Sequence, residues 1–530
     1  EILRRMILEA QAQKTADEWM ELYIKDGNIA AEPYRHSAEG LTHSGMVKNN
    51  HVVEIQDPRV GPMKQIGLLV DLKDTPGKVG GPAPDLGQHT ESVIERLSQR
   101  PVSNPNSAPK GTYITPPSSP AHPLDGVTIL DVGTIQAGPL GCTFLADLGA
   151  RVIKVDATDV RVDERRRPSG TAISDPRTYA GKECIRIDLQ TPEGKEIMHN
   201  LISKADVLFH NFRLGVPERL KVDFATCHQI NPRLVHVWMA TYGEHSEHAR
   251  RPGAHPIPGA IMGGPMRQMG HGMPPPPETQ LDMEELVEAT RWIMRANWGP
   301  DQNTSGAVAT AIALGLRARD LNGVGQAVHV AMICANAYTN ADEAYDYEGR
   351  PPYSVPDSEI HGLHALYRLY RAKEGWVFLG CLYPSEWKAF CHAVGRDDLH
   401  VDPRFSSPEA RQQNNDTLIE EISRIFATRS APDWESSLTA ADVACVQADA
   451  AVEGEFYLSD PHALENNLSV EVEHPLVGTY RRYGGMVEFS ATPGVYRTAT
   501  QAGQHTDAIL GELAYNIDQI QDFRDRSVVQ

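Results

Sequence analysis

The sequence predicts an α/β fold, an open and mostly parallel sheet covered by helices. Three observations predict it. Short apolar runs with the look of buried strands recur between residues 127 and 239. Stretches with helical spacing or helix-start chemistry separate them. Strand, helix and strand within about 30 residues make a βαβ unit, whose crossover is right-handed.

The elements follow in order. Residues 127–132 form the first strand, broken by Gly133 and Gly138-Pro139. Residues 140–148 read as a helix ending at Gly149, a residue favoured just past a helix end. Residues 152–155 make the second strand and residues 185–189 the third. Thr191-Pro192-Glu193 opens a helix, with Thr as N-cap, Pro in the first position and Glu near the positive dipole end. Residues 207–209 and 234–239 are further strands, and residues 307–319 a further helix.

An internal repeat organises the chain. Residues 14–93 contain Ala16-Asp17-Glu18-Trp19, Val52-Val53-Glu54, Gly61, Thr75-Pro76-Gly77 and Gly87-Gln88-His89-Thr90. Counterparts stand 415–417 residues later: Ala431-Pro432-Asp433-Trp434, Val470-Glu471-Val472, Gly478, Thr492-Pro493-Gly494 and Gly503-Gln504-His505-Thr506. Five landmarks in one order at one offset mark a duplicated unit. The expected organisation is the end of a first copy at 1–97, a Pro/Ser-rich linker at 98–123, a complete second copy at 124–514 and a tail at 515–530. At that offset the first copy lacks about 290 residues of its own beginning. The chain opens on Glu1, inside what reads as a helix over 2–12, so the expected natural protein is longer. An orphaned first-copy end would expose the edges of its strands, 52–55 and 66–72.

Composition removes several classes of function. The chain has 530 residues, 41% hydrophobic and 23% charged, with a net charge of −20. That acidity argues against a general nucleic-acid binder, whose affinity rests on basic surface. The longest apolar stretch, 306–316, is shorter than the about 20 residues of a membrane span. Seven scattered cysteines without a CxxC pair point to reduced thiols and a cytoplasmic protein. The 21 histidines show no HExxH spacing and read mostly as surface or linker residues, His245 and His248 among them in a polar loop; no metal is expected.

Two segments carry candidate chemistry. The turn Gly133-Thr-Ile-Gln136-Ala-Gly138-Pro-Leu-Gly141 is followed by Asp156, but its spacing is not GxGxxG. A plain tight turn, a dinucleotide site and a site for another nucleotide-like ligand all remain open there. Asp301 precedes the helix at 307–319. It reads as a helix cap or first-turn acid, and the same position can keep a carboxylate ionised and nucleophilic. Residues 263–277, with Met266, Met269, Met273 and a proline run, read as a mobile insertion.

Many segments together resemble family III CoA-transferases, the family of formyl-CoA transferase, carnitine CoA-transferase and α-methylacyl-CoA racemase. They are residues 124–132, Gln136-Ala-Gly-Pro139, 145–155, Asp188-Leu-Gln-Thr-Pro-Glu-Gly194, Ala205-Asp-Val207, Asn211-Phe-Arg-Leu-Gly215, Asn231-Pro-Arg-Leu-Val235, Gly323-x-Gly325-Gln326 and Gly503-Gln-His-Thr506. The resemblance spans 124–514, and 14–97 resemble the same family's C-terminal part.

The resemblance implies a Rossmann-like large domain, a smaller α+β domain, and two subunits interlocked as rings. A tandem chain would interlock as a homodimer or within itself as a pseudo-dimer. It implies coenzyme A and acyl-CoA as substrates with a small carboxylic acid as second partner, and no tightly bound cofactor. Asp301 matches the family's nucleophile and Gln136 a glutamine beside the reacting acyl group. Ile135, Ala137, Ile187, Asn211, Phe212 and Arg219 match positions lining the CoA site. Racemases place His-Asp after a glycine where this chain has Gly253-Ala254-His255, which favours transfer over racemase or lyase chemistry. Asp156-Ala157-Thr158 lacks the basic residue of relatives, and no poly-Gly loop near 350–365 supports oxalate or formate as substrate. An intact Asp301 and Gln136 argue against a non-catalytic copy.

Overall fold

The computed structural model describes residues 2–99, 120–158, 176–272, 275, 279–296, 299–448 and 453–530. Most of the expected linker, and Met273 with most of the proline run, lie outside these residues. The chain forms two compact units, one of residues 1–13, 263–298 and 351–456, the other of residues 14–262, 299–350 and 457–530.

The second unit opens with the helix Ala16–Asp26 and two short helices, then a hairpin, β1 (Val52–Asp57) and β2 (Gly61–Ile66), and the short β3 (Asp71–Leu72). After these come β4 (Thr128–Asp131), β5 (Arg151–Asp156), β6 (Glu183–Arg186), β7 (Val207–His210), β8 (Val235–Ala240), β9 (Ala327–Ala331) and β10 (Tyr345–Tyr347). Seven strands make one sheet in the order β3-β9-β8-β7-β4-β5-β6. Every neighbouring pair is parallel except β3 with β9.

Both faces of this sheet are covered, which is why its strands read as continuous apolar runs. Ile129, Val152 and Val207 point into a core with the helices Ala137–Asp147 and Pro300–Asn322. Their neighbours Leu130, Ile153 and Leu208 point into a second core, with the helix Pro192–Lys204 and with Ile509, Phe523 and Val529 from the C-terminal segment. Successive residues of a strand face opposite sides.

Some boundaries differ from expectation. The third strand starts at Glu183, two residues early, and ends at Arg186. The helix expected over 307–319 runs from Pro300 to Asn322. Its first turns are rich in Asn, Thr and Ser, residues whose side chains compete with helical hydrogen bonds. Here the Thr304 and Ser305 hydroxyls lie 2.8 and 2.7 Å from the carbonyls of Pro300 and Asp301, so they bond back within the helix. Gly299, at φ 88°, starts it.

The expectation of open strand edges in the first-copy end is corrected in part: among the described residues β1 stays at the edge of the sheet β1-β2-β10, but the rest of the segment is paired or covered. Residues 66–72 are not one strand: β2 ends at Ile66, and β10 pairs its second edge. β3 joins the large sheet beside β9. Leu41 and Met46 are buried with Tyr242, Ile257, Ile261 and Ile333. Gln326 accepts the Asp74 and Thr75 N–H groups at 3.0 and 3.2 Å, and the Tyr338 hydroxyl donates to the Gly67 carbonyl at 2.6 Å. The apolar face of residues 41–72 is thus covered from within the same unit. By contrast, the helix Thr90–Ser98 contains no buried residue.

Two hairpins share one register. A second hairpin, β15 (Ser469–His474) and β16 (Gly478–Tyr483), pairs 469 with 483 and 474 with 478. The β1–β2 hairpin pairs 52 with 66 and 57 with 61, an offset of 417 at every rung. His89 and His505 precede their helices at φ −107° and −108°.

The other unit holds an antiparallel sheet of β11 (Gly362–His364), β12 (Tyr367–Arg371), β13 (Trp376–Gly380) and β14 (Cys445–Gln447). Trp387, Phe390, Phe426 and Trp434 from three helices pack into its core, giving the smaller α+β element. All seven cysteines are buried and unpaired. Among the described residues no helix is long and apolar enough to cross a membrane.

Candidate active site where the strand order reverses

The strand order reverses at β4: the chain builds outward through β5 and β6, then returns to build β7, β8 and β9 on the other side. At such a point the two crossovers leave on opposite faces, and a crevice opens at the carboxyl ends of the flanking strands. Here those strands are β4 and β7. The turn 133–139 follows β4, and Asn211-Phe212 follows β7.

Asn211 clasps the turn: its Oδ1 accepts the Thr134 N–H at 2.9 Å and its Nδ2 donates to the Thr134 carbonyl at 2.9 Å. The turn lies against the Phe209 ring. A Cβ on Gly138 would stand 2.0 Å from Phe209 Cζ, and one on Gly133 2.5 Å from Cε1, so only glycine lets the backbone approach. Close approach, not a dinucleotide fingerprint, accounts for these two glycines. Ile135 is held at φ 65° and is 76% exposed, a costly conformation for a β-branched residue. Gln136, partly exposed, precedes the helix Ala137–Asp147.

Asp301 is the second residue of the helix Pro300–Asn322, and Gly299 is its cap. Asp301 is therefore a first-turn acid and not the cap itself. Its side chain is 14% exposed, and His255 Nδ1 lies 3.5 Å from its Oδ2. Ser305, one turn on, places its Oγ 2.6 Å from the Ala137 carbonyl and 2.7 Å from the Asp301 carbonyl. The helix holding the carboxylate is thereby bonded to the turn holding Gln136.

The other expected residues divide. Ala137 is buried and contributes its carbonyl. Phe212 is partly buried, its ring centroid 5.4 Å from that of His210, and its carbonyl accepts the Trp238 indole N–H at 2.8 Å. Arg219 is exposed on the short helix Val216–Leu220. Ile187 points its side chain into the core beside Leu130 and Val529, the whole residue is buried, and its N–H donates to the Asp156 carbonyl at 2.8 Å, so it presents nothing to an open site. A cavity of about 330 Å³ lined by Arg151, Lys182, Arg497 and His505 lies at the amino ends of β5 and β6 and includes none of the expected site residues.

Sequence reasoning set His255 aside and missed Ser305. Spacing could have found Ser305, since it follows Asp301 by four residues and so shares its helix face. Histidines were also misplaced: His248, read as a polar-loop residue, is 5% exposed, and His51, His210 and His236 are buried too. Glu32, His43 and His248 bring potential ligand atoms within 4.8 Å of one another. Arg251 Nη1 already lies 2.6 Å from both Glu32 Oε1 and His248 Nδ1, so a guanidinium supplies the positive charge there. Burial pushes the Glu32 carboxyl up, but His43 and Arg251 outweigh it and bring it to about 2.

Comparison with known proteins agrees with this architecture. The family model described as CoA-transferase family III matches residues 1–90 and again 124–506. The chain is 30% identical over 376 residues to a probable fatty acyl-CoA transferase of Mycobacterium tuberculosis, covering 67% of this chain and 89% of the relative. It superposes on the crystal structure of that protein with a TM-score of 0.58 and 26% identity, over 74% of this chain and 100% of the other. It is 28% identical over 327 residues to the acetyl-CoA:oxalate CoA-transferase of Acetobacter aceti, covering 60% of this chain and 79% of the relative. A probable CoA-transferase of M. tuberculosis is 28% identical over 492 residues, 90% of this chain and 57% of that longer relative.

Proposed function

This chain belongs to CoA-transferase family III, and from that premise we propose that it moves coenzyme A from an acyl-CoA donor to a carboxylic acid acceptor, with Asp301 as covalent nucleophile. The observation that carries the reading is the bond from Ser305 to Ala137, which ties the helix turn bearing the Asp301 carboxylate to the turn bearing Gln136.

The steps balance as follows. An Asp301 carboxylate oxygen attacks the thioester carbonyl, the C–S bond breaks, and a mixed anhydride and CoA thiolate form. The thiolate attacks the aspartyl carbonyl and expels the donor carboxylate, leaving an aspartyl thioester. The acceptor carboxylate attacks that thioester, giving a second anhydride and freeing the thiolate again. The thiolate then attacks the acceptor acyl carbon, releasing the new acyl-CoA and restoring the Asp301 carboxylate. Dividing one transfer into four acyl exchanges lowers each barrier. The Gln136 amide donates to the oxyanion that develops at each addition. Ile135, Ala137, Asn211, Phe212 and Arg219 line the CoA site, without the buried Ile187; Arg219 meets a phosphate through a charge-assisted bond.

The test is mass spectrometry of the intact protein after mixing with acyl-CoAs of increasing chain length. A covalent adduct on the peptide containing Asp301 is expected; the lack of any adduct while turnover proceeds would refute the covalent route.

One observation favours a second reading, racemisation. His255 Nδ1 stands 3.5 Å from Asp301, so an imidazole and a carboxylate are paired near the site. Such a pair could move a proton at the carbon next to a thioester. Deuterium entering that carbon from heavy water would identify this chemistry.

The two matched segments and the common hairpin register support reading 1–97 as the end of a first copy, 98–123 as linker, 124–514 as a complete copy and 515–530 as a tail. The assembly that follows is an interlocked homodimer or an intramolecular pseudo-dimer, which light-scattering mass distinguishes.

A further inference from the structure

Beneath the turn 133–139 lie two buried lysines. Lys154 is 1% exposed and Lys182 4%. Lys154 Nζ lies 2.6 Å from the Gly133 carbonyl, 3.3 Å from the Asp131 carbonyl and 3.3 Å from Asp156 Oδ1. Lys182 Nζ lies 2.7 Å from the Pro139 carbonyl and 2.7 Å from Asp131 Oδ2. Asp131 Oδ1 accepts the Gly133 N–H at 2.9 Å. Asp156 Oδ2 accepts the Tyr179 hydroxyl at 2.5 Å. Two ammonium groups and two carboxylates thus meet, all buried.

The stability of the core does not account for this arrangement. Burying ion pairs costs desolvation, and apolar side chains of similar volume often stabilise as well or better. What an ammonium does that a methionine cannot is donate several hydrogen bonds at once. Each lysine spends one on a carboxylate and one on a carbonyl of the turn. The two gripped carbonyls, of Gly133 and Pro139, stand on either side of Ile135 and Gln136. Between them, Thr134 is held by Asn211 and Ala137 by Ser305. Ile135 at φ 65° needs such support, because a strained residue of this kind costs about 1–3 kcal/mol and persists only where its surroundings fix it.

We infer that Lys154 and Lys182 are positioning residues, which staple the two shoulders of the turn so that the Gln136 amide is held for the acyl group. They touch no substrate; they act through the backbone. The inference rests on the reading of Gln136 as an oxyanion donor, and the experiment separates the two.

The variants are Lys182→Met with Asp131→Asn, which removes a charge pair without leaving a lone buried charge, Gln136→Ala, and all three together, each in the full chain. Turnover and amide hydrogen exchange over 133–140 are measured. The staple pair should lower kcat at least about tenfold, with the KM for acyl-CoA changed less than about threefold. Exchange over 133–140 should quicken by at least about tenfold, while the helix Pro192–Lys204 exchanges as before. Added to Gln136→Ala, the staple variant should cost nothing further in kcat. Unchanged exchange at the turn, or losses that multiply in the triple variant, would overturn the inference. Faster exchange at the turn with a silent Gln136→Ala would uphold the staple as the anchor of the turn and remove Gln136 from the chemistry.

Discussion

The Ser305 hydroxyl lies 2.6 Å from the carbonyl oxygen of Ala137, joining the first turns of two helices, Ala137–Asp147 and Pro300–Asn322, that stand 168 residues apart at this bond. Helix packing there is tight: a Cβ on Gly141 would stand 2.6 Å from the Ser305 carbonyl. Ser305→Ala should therefore keep the fold but loosen the register between the Asp301 and Gln136 turns. A loss of about 0.5–1.5 kcal/mol in stability is expected from the lost hydrogen bond, since the Ala137 carbonyl keeps its acceptor role within its own helix. The kcat should fall more than the KM rises. A melt and a full kinetic comparison check both.

Asp301→Asn should abolish transfer, since an amide cannot open a thioester to an anhydride. Gly299 caps the helix, so the substitution removes the charge–dipole interaction, about 0.3–1 kcal/mol, together with the carboxylate's contact to His255, and leaves the helix start in place. Turnover within tenfold of the parent, in a preparation free of deamidated protein, would exclude Asp301 as nucleophile.

Arg219→Ala should weaken CoA binding by about 1.5–3 kcal/mol if its guanidinium meets a phosphate. Calorimetric titration with CoA measures this directly. An unchanged dissociation constant would take Arg219 out of the site.

His255→Ala separates the two chemistries. For acyl transfer it should change the rate by less than about tenfold, because no step above requires a proton relay. For α-proton exchange it should abolish the reaction. Following both signals on one substrate in heavy water decides between them.

Acid should loosen the packing around residues 32–51. Burial lowers His51 to about 4, and burial together with the charge of His43 lowers His248 to about 4. In the unfolded chain each takes up a proton near 6.5. Between these values the unfolded state binds more protons, so stability is full above about 6.5 and falls as the pH drops toward 4. The slope is at most about 1.4 kcal/mol per pH unit for each histidine. Denaturant melts across this range should show it, and His51→Asn with His248→Asn should flatten it. A slope unaltered by that double variant would place the acid sensitivity elsewhere.

The sequence by itself determined the parallel sheet and the family, because both are written in local order. Strands buried on both faces must be apolar throughout, and Thr191-Pro192-Glu193 satisfies the free amides of a helix start. It also offered Asp301 and Gln136 as candidates, which the variants above test. The tertiary structure decided which of the expected residues meet. The Ile187 side chain belongs to the core and not to an open site, since it pairs with Val529 and packs against the C-terminal segment. His248 is buried because residues 32–43 fold back over its loop, a contact spanning more than 200 positions. The grip of Lys154 and Lys182 on the turn depends on side chains of β5 and of the residue before β6 reaching beneath β4. No local pattern reports such contacts. A lysine reads as solvent-facing until the sheet that buries it is closed.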